Sequence, residues 1–169
     1  MNKTMEKRWI SLYVENQVGV LAKISGLFSG KSYNLASLTV GATEDPTVSR
    51  MTIETVSDDA TFEQIKKQLN RMVEVIKVMD FTNTSVHMKE LLYVKIKQCT
   101  LEEKTEVFHI AEAFAGKVVD YGKDSVLVEC IQTSTKNDYM IALLRESFKS
   151  IEVVRGGSVG IESISINER

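Results

Sequence analysis

The apolar residues of this chain change their spacing in the same order twice, and that repetition limits the fold more than any single motif. Trp9 to Val14 places Ile10, Leu12 and Val14 on one side of a strand. From Val20 the spacing becomes helical, with Leu21, Ile24, Leu27 and Phe28 as the stripe and Gly30 as the stop. Asn34–Val40 and Ser49–Val56 read as two strands joined by a long loop around Pro46, the chain's one proline. Asp58-Asp59-Ala60-Thr61 offers helix-start chemistry for a helix carrying Phe62, Ile65, Leu69 and Met72, with Glu63 and Lys67 as a surface pair. Val73–Met79 closes the unit as a strand.

A polar junction at Asp80–His87 follows, and the pattern then starts again. Leu91–Gln98 is strand-like, Val107, Ile110, Ala111 and Phe114 mark a helix, and Lys117–Tyr121 and Ser125–Thr133 flank a turn at Gly122. Tyr139, Leu143 and Phe148 fall on a last helix, and Ile151–Arg155 echoes Val73–Lys77 after corresponding helices. The expected fold is α+β, two tandem ferredoxin-like βαββαβ domains with antiparallel sheets, at residues 5–82 and 88–169. Both helices of such a unit cover one face of its sheet. The other face is left bare, which predicts a homodimer, a packed second domain, or both.

Composition removes several function classes. The chain has 169 residues, 43% of them hydrophobic, enough for two small cores or one ordinary one. A net charge of −2 with the signs interspersed gives no electrostatic argument for nucleic acid or anionic lipid as a partner. No stretch approaches the roughly 18 apolar residues of a membrane span, and alternation follows the first residues where a signal peptide would have an apolar block, so the expected address is the cytoplasm. Cys99 and Cys130 lie in apolar, strand-like stretches and read as reduced core thiols.

No reactive constellation stands out. His87 and His109 are not spaced with the cysteines as zinc ligands, and Gly-x-Ser-x-Gly, Gly-x-Gly-x-x-Gly and the phosphate-binding loop do not occur. Gly156-Gly157-Ser158-Val159-Gly160 has no helix after it and reads as a tail turn. RNA-recognition modules share this element order, but they stack bases on central-strand aromatics, and Arg50–Val56 contains none. Lys66, Lys67 and Arg71 alternate with acids, as on a solvated helix face.

What remains is the turn Glu15–Leu21. Gly19, between a strand and a helix, lets N–H groups at the helix N-terminus face outward as a small anion socket. The matching turn of the second copy, Cys99–Lys104, has no glycine and carries two carboxylates, so no anion is expected there. Plainer roles stay open: Gly19 relieving backbone crowding, Asn16 and Asn34 bonding backbone at a turn or strand end, and Leu21 in the core.

Ser11–Leu21 resembles the opening of ACT domains, the amino-acid-sensing version of this fold. Gly26–Ser29, Tyr33–Val40, Thr43–Ile53 and Lys67–Val78 narrow the resemblance to the small, regulatory subunit of acetohydroxyacid (acetolactate) synthase, and Leu92–Ile96 carries it into the second half. The resemblance implies a chain with no catalytic centre and no cofactor of its own. It implies a large catalytic subunit holding thiamine diphosphate (ThDP), magnesium and FAD, whose activity this chain raises and makes sensitive to valine or another branched-chain amino acid. It further implies that two N-terminal domains pair into one continuous sheet, with effector sites at the dimer interface. There the N–H groups of Gly19, Val20 and Leu21 would take a carboxylate, Asn16 and the partner chain's Asn34 would supply polar contacts, and Leu21 and Leu35 would flank the side chain. Leu35 stands where the family often has isoleucine.

Overall fold

The computed structural model describes residues 4–164. Its first half contains β1 (Glu6–Glu15), α1 (Val20–Gly30), β2 (Ser37–Ala42), β3 (Val48–Ser57), α2 (Asp59–Leu69) and β4 (Val75–Asp80). The second repeats the order with β5 (Val86–Lys97), α3 (Leu101–Ala113), β6 (Lys117–Tyr121), β7 (Ser125–Gln132), α4 (Ser134–Ser147) and β8 (Ser150–Glu162). The sheets run β2-β3-β1-β4 and β6-β7-β5-β8, the antiparallel split arrangement that the repeated pattern predicts.

Each core follows from strand alternation meeting a helical stripe. In the first, Leu12 lies opposite Met51 on one side and Val78 on the other, and Ile10 lies opposite Ile53. Ile24, Phe28, Phe62, Ile65 and Leu69 of the two helices belong to the same buried cluster. In the second, Leu92, Val94, Ile96, Val126, Val128 and Cys130 pack with Val107, Ala111, Met140 and Leu144. Cys99 and Cys130 are both buried and free, as expected of core thiols.

Four details differ from the sequence expectation. Val20, not Leu21, joins the core: Val20, Ile24 and Phe28 are buried at intervals of one turn, while Leu21 is 44% exposed. The same shift of one occurs on α4, where Met140 and Leu144 are buried and Tyr139 and Leu143 face solvent. On α2, Glu63 pairs with Lys66 at 2.5 Å, because Lys66 also reaches Asp80 at 2.6 Å and its ammonium lies between the two carboxylates. Finally, Gly156–Gly160 is no tail turn. It is part of β8, with Gly157 taking a left-handed φ of 81° that lets the strand pass through.

That longer strand changes the unit boundaries. The described residues up to His87 form one compact unit together with those from Val159, and Met88–Ser158 form the other. The expected domain of 88–169 therefore gives up its end, of which 165–169 lies outside the described residues. The cause is a set of bonds within the first unit: Arg50 Nη2 to Glu162 Oε2 at 2.7 Å, and Ser163 N–H to the Ser85 carbonyl at 2.9 Å. Nor is the helix-free face of the first sheet bare. Ser11, Thr52 and Glu54 are buried there, and Arg50 donates to Ser11 Oγ at 2.9 Å while lying over the Tyr13 ring.

Candidate functional site

β1 ends at Glu15 and α1 begins at Val20, so four residues make the turn. Gly19 is the N-cap, with φ 88° and ψ −9°, and a Cβ built on it would meet nothing within 4 Å. The space is open, so crowding is not the reason for glycine. The left-handed backbone is, since an L side chain there costs on the order of 1–2 kcal/mol.

That conformation leaves α1 without a side-chain cap, unlike the other helices. Asp58 caps α2, accepting from Thr61 N–H at 2.8 Å, and Thr133 caps α4, accepting from Lys136 N–H at 3.4 Å. On α3 the Thr100 hydroxyl accepts from Glu103 N–H, while Glu103 Oε2 accepts from Thr100 N–H at 2.7 Å. The second copy thus fills its own socket with a carboxylate. In α1, Val20 N–H reaches the Gln17 carbonyl at 3.3 Å and Lys23 N–H reaches that of Gly19 at 3.0 Å. The N–H groups of Leu21 and Ala22 find no acceptor among the described residues, and no acid stands in the first turn to offset the helix dipole. The nearest cation of the helix, Lys23, is held by Glu74, whose carboxyl that hydrogen bond keeps below the ordinary carboxylate range.

The proposed side chains divide into two groups. Asn16, Gly19, Val20 and Leu21 share the turn, with Val20 contributing only backbone because its side chain is buried. Asn16 is exposed, and it bonds a distant backbone segment. Its N–H reaches the Thr47 carbonyl at 2.7 Å, and its Nδ2 donates to the Pro46 carbonyl at 2.9 Å. Asn34 and Leu35 precede β2. The Asn34 carbonyl accepts from Thr55 Oγ1 at 2.6 Å, its side chain is exposed, and Leu35 packs part-buried against the core. No hydrogen bond joins Asn34 to the Gly19 turn within one chain among the described residues. The Asn16–Pro46 link spans 30 residues, and no local signal marks it. Among the described residues no group of three or more His, Cys, Asp and Glu side chains could hold a metal ion.

Residues 10–77 match the ACT domain of the AHAS small-subunit type, and residues 89–164 match the family described as the small subunit of acetolactate synthase. The chain belongs to the acetolactate synthase small-subunit family. It is 41% identical to the small subunit of acetolactate synthase isozyme 3 from Salmonella typhimurium over 155 residues, 92% of this chain and 94% of that one. It is 39% identical to the Aquifex aeolicus small subunit over 165 residues, 97% of this chain and 85% of that one. The crystal structure of the Thermotoga maritima small subunit superposes with a TM-score of 0.79 at 32% identity, covering 94% of this chain and 98% of that one. A small subunit implies a large, catalytic partner.

Proposed function

We propose that this chain is the effector-sensing subunit of an acetolactate synthase, binding valine or another branched-chain amino acid at the Gly19 turn and thereby controlling a ThDP-dependent large subunit. ThDP, magnesium and FAD would sit in that large subunit. The observation that carries the reading is the first turn of α1: uncapped, free of acids, and held open by a left-handed glycine. An amino-acid carboxylate supplies what those N–H groups lack.

Energetics argue for a shared site. An anion at a helix N-terminus contributes roughly 0.3–2 kcal/mol, whereas a micromolar ligand needs about 8 kcal/mol. The rest must come from the ligand's ammonium and side chain. With Nδ2 committed to Pro46, Asn16 Oδ1 would be the atom that accepts from an ammonium. Exposed Leu21 offers apolar surface. A second copy, bringing its own Asn34 and Leu35, would complete the enclosure at a dimer interface. A coupling of roughly 1–3 kcal/mol between effector and catalytic states then gives about 5- to 150-fold control.

The test is calorimetric titration with valine, leucine and isoleucine, alongside acetolactate formation by the large subunit with and without this chain. Stimulation that valine reverses is the expected result. A chain that binds none of the three amino acids refutes the effector reading.

A further inference from the structure

Asn16 is the last residue before Gly19 that the rest of the first unit holds. Glu15 N–H donates to the Glu74 carbonyl at 2.9 Å, and Asn16 reaches the β2–β3 loop twice, from N–H to the Thr47 carbonyl at 2.7 Å and from Nδ2 to the Pro46 carbonyl at 2.9 Å. Gln17 and Val18 make no hydrogen bond to another element among the described residues. The shape of the turn ahead of Gly19 therefore depends on where the two loop carbonyls stand.

The loop fixes them itself. Thr43 N–H reaches the Val48 carbonyl and Val48 N–H the Asp45 carbonyl, each at 3.0 Å, which closes the loop at its base. Asp45 Oδ1 accepts from both the N–H and the hydroxyl of Thr47, at 2.8 and 2.7 Å, and these bonds hold its carboxyl below the usual range. Pro46, whose ring fixes its φ, lies between the bonded pair.

The second copy builds the same tie from unlike residues. Cys99 N–H donates to the Asp124 carbonyl at 2.9 Å, and Lys104, only 4% exposed, donates from Nζ to the Gly122 and Lys123 carbonyls, both at 2.6 Å. Lys104 is the fourth residue of α3, whereas Lys23, the fourth of α1, pairs with Glu74. In the second copy the side-chain bond holds the helix. In the first it holds the turn, and there the helix has no side-chain cap.

We propose that Asp45 is a positioning residue for effector binding: through Thr47 and Pro46 it sets Asn16, and through Asn16 the turn that presents the α1 N–H groups. The inference rests on the effector reading above. A turn ordered in advance loses less freedom when an amino acid binds, and the ordering of one residue is worth about five- to thirtyfold in affinity. Asp45 needs no contact with the effector. What it supplies is an acceptor for Thr47.

The experiment measures, by calorimetry on the full chain, the affinity for whichever of valine, leucine and isoleucine the wild type binds, with urea midpoints alongside. Asp45→Ala removes the acceptor and should weaken binding about fivefold or more. Asp45→Asn keeps an oxygen for the Thr47 N–H and hydroxyl while discarding the charge, and should bind within about twofold of wild type. Glu44→Gln discards the neighbouring charge, leaves the Asp45–Thr47 bonds in place, and should match wild type. An Asp45→Asn chain as weak as the alanine variant overturns the assignment, as does a Glu44→Gln chain that loses affinity, because the loop would then act by charge. An alanine variant with a lower urea midpoint and wild-type affinity overturns it too, since the loop would serve only the fold. Wild type that binds none of the three amino acids refutes the effector reading itself, and this inference falls with it.

Discussion

Arg155 closes on Glu90 with two hydrogen bonds, Nε to Oε1 at 3.1 Å and Nη2 to Oε2 at 2.7 Å, around a carboxylate residue only 3% exposed. Asn137 Nδ2 completes the set at 3.0 Å, so β5, α4 and β8 are fastened at one point. A buried carboxylate that loses its partner costs about 3–5 kcal/mol, less where water can reach it. With the Arg155 side chain 34% exposed, Arg155→Met should cost about 2–3 kcal/mol. Arg155→Lys should recover only part of that, because an ammonium cannot reproduce the forked geometry. Urea midpoints of the three chains check this, and a loss below about 0.5 kcal/mol for the methionine variant would show that Glu90 is hydrated after all.

Gly19 separates backbone strain from ligand binding. Gly19→Ala keeps every N–H of the turn and meets open space, so it should lower stability by about 1–2 kcal/mol while valine still binds. Gly19→Asp would place a carboxylate where the proposed site would hold the ligand's carboxylate, a repulsion on the order of 1–4 kcal/mol at about 4 Å. Stimulation of the large subunit should survive and valine sensitivity should vanish. A Gly19→Asp chain as valine-sensitive as wild type would move the effector site elsewhere.

The element order was legible because each period of the pattern has a physical cause, and Ile10, Leu12 and Val14 could only alternate as one side of a strand. Helix registers were less secure. Val20 and Leu21 both stand at helical distance from Ile24 and Phe28, and only the packed structure decides which faces the sheet. The end of β8 was not legible at all. Glycines carry no side-chain periodicity, and the bonds that hold this stretch extended, Arg50 to Glu162 and Ser85 to Ser163, join residues far apart in sequence. For the site, the glycine was visible in the sequence together with its absence from the second copy. Asn16's attachment to Pro46 was not, since nothing local distinguishes it from an asparagine bonding its own turn.

The thiols give a simple check on the second core. Burial pushes both Cys99 and Cys130 above the ordinary thiol value, and the two residues are 8% and 1% exposed. Neither should react with a thiol reagent at pH 8 in the folded chain, and both should react at once in denaturant. Rapid labelling of Cys130 without denaturant would mean that the sheet opens locally.

The Arg50–Glu162 pair makes an acid-dependent prediction. Burial alone would raise the Glu162 carboxyl, but the hydrogen bond and charge of Arg50 outweigh it and hold the group below its ordinary value. A carboxyl depressed in the folded state contributes stability above its unfolded pKa, near 4.3, and loses that contribution as pH falls through the lower folded value. Asp80 behaves alike: burial raises it, and the bonds from Lys66 and Thr82 more than offset that. Stability should therefore fall as pH drops below about 4.5. Glu162→Gln should be less stable than wild type by about 1 kcal/mol at pH 7, a modest figure for a pair that solvent still reaches. By pH 3 the gap between the two chains should have narrowed, because the wild-type carboxyl takes up its proton as pH falls through its lowered folded value. Urea unfolding at both pH values measures the gap, and a gap that does not shrink in acid would assign the effect of the substitution to packing instead of the ion pair.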